Sequence, residues 1–119
     1  MTDLDRQAVN ERIATAMGYR PSDNPAWWYA PVTACFVPRP DYFTDPVAAD
    51  ELMRWIEGKR KQGWSVQIAV DSYGWSVCVD HAIGHYVRHS EDDWKHALAL
   101  AADKAIEEAE RGETKGQTC

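Results

Sequence analysis

Residues 64–80, WSVQIAVDSYGWSVCVD, decide the fold. Trp64, Val66, Ile68 and Val70 share one parity. Trp75, Val77 and Val79 share one parity in a second run, and Ser72-Tyr73-Gly74 stands between the two. Period-two alternation about a short glycine-containing turn predicts an antiparallel hairpin with one buried face.

Outward from the hairpin, both flanks read as helical. Upstream, residues 46–61 carry Ala48, Ala49, Leu52, Trp55 and Ile56 on one face and Asp50, Glu51, Arg54 and Glu57 on the other. Asp45 is the expected cap, and Pro46 takes the first helical position, where its missing N–H costs nothing. Lys59, Arg60 and Lys61 are expected in the last turn, beside the negative end of the helix dipole, with Gly63 as the stop. Downstream, HAIGHYVRH (residues 81–89) contains Gly84 and is expected to add a strand from His85 to His89. Ser90 is the expected cap of a closing helix whose stripe is Trp94, Leu98, Ala101, Ala102, Ala105 and Ala109. Glu91, Asp92 and Asp93 are expected at its start. The polar residues 112–119 read as a flexible tail behind a domain spanning 1–111.

The N-terminal third is less regular. Residues 2–17 read as a helix with Thr2 and Asp5 as a capping pair, a stripe of Val9, Ile13, Ala16 and Met17, and Gly18 as the stop. Leu4 lies off that stripe. Residues 19–45 hold five of the six prolines, which excludes a helix interior. Short extended pieces are expected at 26–30 and 33–37, the latter as an edge strand. The expected class is α+β: a small, mainly antiparallel sheet of three to four strands with three helices packed on it.

Composition bounds the function. At 119 residues the chain is one domain with enough length for a core of its own. Its net charge of −6 disfavours a generic grip on DNA or RNA. No apolar run approaches the roughly 20 residues of a membrane span. The charged opening MTDLDRQAVNER lacks the pattern of a signal peptide. Cys35, Cys78 and Cys119 are an odd set without framework spacing. A reducing, cytoplasmic location is therefore expected.

Three stretches carry a family resemblance: IATAMGY (13–19), PDYFTDPVAADELMRWI (40–56) and ALALAADKAI (97–106). Together they resemble the phage ABA sandwich domain family of small phage and prophage proteins. The resemblance implies a helix–sheet–helix sandwich and an accessory role encoded by a phage. It implies no catalytic motif, since the matching residues are those of packing and capping.

The candidate chemistry is sparse. His81, His85 and His89 would stack on a helix, but on a strand they lie roughly 13 Å apart. No metal site is expected, although Cys78 and Asp80 are nearby ligand types. Cys35 and Cys78 read as small buried hydrophobes in strands, and there is no serine elbow. Asp71 and Asp80 flank the hairpin and could face each other across a site, but strand-end acids are more often turn residues than acid/base machinery. No catalytic residue, enzyme activity or cofactor is expected. Trp55, Trp64, Trp75 and Trp94 are assigned to packing.

The aromatic loop remains. Trp27 and Trp28 are adjacent, and an extended segment sends adjacent side chains to opposite faces. Trp27, Trp28, Tyr29, Arg39 and Tyr42 are therefore the candidate binding residues. With the resemblance, the expected function is that of a non-enzymatic phage or prophage accessory protein, a host-defence antagonist that captures a small anionic, nucleotide-type ligand, with a homo-oligomer interface able to complete the pocket. The alternative is a protein-binding module using the aromatic or acidic surface. Neither requires a membrane or direct nucleic-acid contact.

Overall fold

A computed structural model describes residues 2–24, 26–31, 33–81, 84–90 and 93–118, with side chains to Arg111. Pro25, Glu91, Asp92 and Cys119 lie outside the described residues. The chain is α+β. It carries α1 (Asp3–Ala16), β1 (Arg20–Pro21), β2 (Trp27–Ala30), β3 (Cys35–Pro38), α2 (Pro46–Gly58), a short 3-10 turn (Arg60–Gln62), β4 (Ser65–Asp71), β5 (Gly74–His81), β6 (Gly84–Ser90) and α3 (Trp94–Thr118).

The hairpin forms as its alternation predicts. β4 and β5 pair antiparallel from Ser65 opposite Asp80 to Asp71 opposite Gly74. β6 adds to the far side of β5, with Asp80 opposite His85. Val77 and Val79 are fully buried, and α3 packs against β5 and β6. The alanine stripe explains that close seat: Ala97, Ala101, Ala102 and Ala105 have no exposed surface. Trp75 is only half-buried, so the hairpin's tryptophan in the core is Trp64.

The capping signals of the first two helices are realised. The Thr2 hydroxyl accepts from the Asp5 amide, and the Asp5 carboxylate accepts from the Thr2 backbone, closing a reciprocal box. Leu4, off the stripe, is exposed. Gly18 follows the helix at φ +98°, a conformation that favours glycine. At α2 the Asp45 carboxylate accepts from the Val47 amide.

Three expectations are corrected. The strand at 35–38 does not join the hairpin's sheet. It pairs with β2, which pairs with β1, forming a separate three-stranded sheet. Prolines break this region into strands of two to four residues, too short to extend into the longer ladder. Second, α2 ends at Gly58 rather than at residue 61. Lys59 is the C-cap, with its ammonium 4.5 Å from the Trp55 ring centroid and 5.5 Å from that of Trp64, a cation–π seat. Third, α3 is capped by Asp93, whose carboxylate accepts from the Lys95 amide; the Ser90 hydroxyl accepts from the Asp93 amide just outside. Residues 112–118, read from the sequence as the tail, are assigned to the end of α3. Ion pairs Lys104–Glu108 and Arg111–Glu107 support its outer turns, and an interior glycine costs a helix only about 1 kcal/mol.

Residues 39–45 are fastened to α1 rather than left loose. Buried Asn10 accepts from the Tyr42 amide and donates to Asp41. Asp41 also accepts from the Phe43 amide and the Thr44 hydroxyl. This places Tyr42 and Phe43 in the core.

Candidate functional site

The first sheet divides the aromatic cluster between two environments. Register puts Tyr29 between Arg20 and Phe36, and Trp27 opposite Pro38. These residues share the outward face. Trp27 is 45% exposed and Phe36 61%, and the Tyr29 and Phe36 rings meet edge to face at 5.6 Å between centroids. Arg20 is exposed and makes no ion pair among the described residues. The opposite face carries Trp28, 4% exposed, and Ala30 into the core.

Of the five candidate binding residues, the structure places only Trp27 and Tyr29 on an accessible face. Trp28 and Tyr42, the latter 1% exposed, are core residues. Burial raises the Tyr42 phenol well above its ordinary value. The Arg39 guanidinium reaches back to Glu11 on α1 at 3.7 Å. Phe36 and Arg20 belong to the outward face and were missed. Four consecutive apolar residues, CFVP, carry no alternation to mark Phe36, and a two-residue strand leaves Arg20 no pattern to read.

A cavity of about 610 Å³ lies between α1, the first sheet and α3. Its walls include Glu11, Asp23, Asp103, Glu107 and Glu110, with Arg12 the arginine among them. That arginine is held by Asp103 through two bonds of 2.8 Å. A cavity lined this way disfavours an anion.

The outer face of the second sheet holds another cluster. Cys78, Asp80 and His85 offer ligand atoms within 4.8 Å of one another. The sulfur of Cys78 is 3.4 Å from His85 Nδ1 and 3.6 Å from each Asp80 carboxylate oxygen. His85 Nδ1 also contacts Asp80 Oδ1. Burial raises the Cys78 thiol, and the Asp80 charge adds to the rise. This is the wrong direction for an activated nucleophile. The thiol and the carboxylate both lie nearest the same ring nitrogen, whereas a proton relay uses opposite ones.

The other titratable candidates take structural places. Cys35 is exposed rather than buried. His81 is on the core face of β5, stacked between Trp64 and Tyr86 at 5.1 and 5.3 Å, rather than on the surface. Asp71 and Asp80 sit at opposite ends of the β4–β5 ladder, and Asp71 accepts from the Tyr73 amide in the turn.

The fold is similar to that of a phage protein. That protein, from Bacillus cereus ATCC 14579, superposes with a TM-score of 0.60 at 17% identity, over 82% of this chain and 88% of its own. No family model and no curated protein matches the sequence. Among the described residues, no helix is long and apolar enough to cross a membrane.

Proposed function

We propose that this chain is a phage-encoded accessory binding protein that docks a host or phage protein on the outward face of its first sheet. One observation carries the reading: Trp27, Tyr29 and Phe36 are exposed together on one face. Large aromatics are the side chains that most often dominate protein interfaces, because they bury much area for little lost conformational freedom. Arg20 beside Tyr29 supplies a charged handle. The face is accessible, whereas a small-molecule site encloses most of its ligand. No catalytic step is assigned. The ABA sandwich resemblance and the similarity to a phage protein support the setting, a host bacterial cytoplasm.

Arg20 also favours a second reading. A nucleotide-type anion, such as a signal of host defence, could stack on Tyr29 or Trp27 with its phosphate on the guanidinium. A second copy of the chain would then have to close the site. Native mass spectrometry of protein purified from its host tests both readings. A co-purifying protein lost on Trp27→Ala and Phe36→Ala supports the first. A released nucleotide-sized mass, lost with Arg20→Ala, replaces it with the second. A bound species that survives all three substitutions overturns the face as the site.

A further inference from the structure

We infer that Cys78, Asp80 and His85 form a binding site for one zinc-class divalent cation, with the fourth coordination position open to solvent. The site is independent of the aromatic face. It arises from strand register alone. β5 sends Ser76, Cys78 and Asp80 to the face away from Val77 and Val79, and the β5–β6 pairing sets His85 directly across from Asp80. Histidines four apart along a strand cannot share an ion, but a histidine and an aspartate on neighbouring strands can.

The distances suit a tetrahedral ion. With Zn–S near 2.3 Å and Zn–N or Zn–O near 2.1 Å, sulfur should lie about 3.6 Å from each partner ligand atom. Cys78 Sγ lies 3.4 Å from His85 Nδ1 and 3.6 Å from both Asp80 oxygens. The His85–Asp80 contact is closer than an ion's edge allows. His85 is exposed, so rotation of its ring can open that edge to about 3.4 Å. Thiolate, imidazole and carboxylate together select a borderline metal over magnesium or calcium, which take oxygen ligands. On binding, the Cys78 thiol releases its proton to solvent and the metal–sulfur bond forms, with no change of oxidation state. Three protein ligands and an open position are the arrangement of a site that keeps a water or accepts a further ligand.

The test uses the full chain stripped of metal. Zinc is titrated against a chromophoric chelator, and cobalt(II) is added to report thiolate ligation through its near-ultraviolet charge-transfer band. One equivalent should bind. His85→Ala should weaken zinc by at least about 10-fold, the range already seen when partners outside the ligand shell are removed. Cys78→Ser should abolish the cobalt band. His89→Ala and Cys35→Ser, which lie outside the cluster, should keep affinity and band. Zinc should raise the melting temperature of the native chain and not that of His85→Ala. The proposal is overturned if the chain takes up no equivalent, if His85→Ala binds as the native chain does, or if the band survives in Cys78→Ser. Should Cys78→Ser fail to fold, exposed His85 decides the matter alone.

Discussion

Trp27 and Trp28 are neighbours of identical chemistry placed in opposite surroundings. Trp28 contributes to the core from the inner face of β2, and Trp27 stands on the outer one. Trp28→Ala should cost about 3–5 kcal/mol, the usual range for removing a buried large aromatic. Trp27→Ala should stay within about 0.5 kcal/mol, as for other surface changes. Urea midpoints of the two variants measure the difference, and equal losses would remove Trp27 from the exposed face. Gly84 offers a second test at this scale. A Cβ there would run into the ring of Tyr86, which stacks on His81. Gly84→Ala should cost about 1–3 kcal/mol by overpacking. The same change made in a Tyr86→Ala background should be nearly neutral, because the clashing ring is gone. A penalty that persists there would place the cost in the backbone instead.

At the scale of elements, the join between α1 and residues 41–45 rests on two side chains. The Asn10 amide is buried and serves both the Tyr42 amide and Asp41. Asn10→Ala leaves the Tyr42 N–H without that acceptor and should cost about 1–3 kcal/mol. Burial pushes the Asp41 carboxyl upward, but donors from Thr44, Phe43 and Asn10 outweigh it and hold the group below its ordinary value. A depressed carboxyl stabilises the fold above the unfolded value, about 3.9, and that contribution is lost as pH falls through the lower folded value. Stability measured from pH 5 to pH 2 should therefore drop more steeply in the native chain than in Asp41→Asn. Parallel curves would contradict the assignment. These joins show where reading by eye succeeds. Thr2 with Asp5, and Asp45 before Pro46, are local signals and were legible. So was the hairpin, whose alternation is written within 17 residues. The end of α2 was not, because the chain passes from Gly58 into a short 3-10 turn at Arg60–Gln62, and the run of Lys and Arg there marks no boundary between the two. Nor was the split into two sheets, since strands of two to four residues carry almost no period. The cluster of Cys78, Asp80 and His85 was half legible: its residue types stood out, but cross-strand register brings them together.

At the scale of the molecule, the two sheets are held unequally. β5 and β6 lie under α3, which also packs against α1 and α2. Arg12 and Asp103 tie α1 to α3. β1, β2 and β3 make most of their contacts with one another, and they enter the core chiefly through Trp28, Ala30 and partly buried Val37. Their outer face has no cover among the described residues beyond its own aromatic side chains. A sheet with few buried anchors opens at a lower free energy than the global transition, whereas a central strand under a helix opens only when the whole domain unfolds. Native-state hydrogen exchange should therefore show the amides that pair β2 with β3 exchanging well before those of Val77 and Val79 on β5. Trp28→Ala should widen that gap, lowering protection in the first sheet while β5 keeps its own relative to the variant's global stability. Uniform protection across both sheets would mean that the molecule opens as one unit. The distinction bears on binding as well. If the first sheet opens by itself, a partner seated on Trp27, Tyr29 and Phe36 should slow exchange in β2 and β3 and leave β5 unchanged. Slowing in β5 alone would place the partner on the second sheet and contradict the proposed docking face.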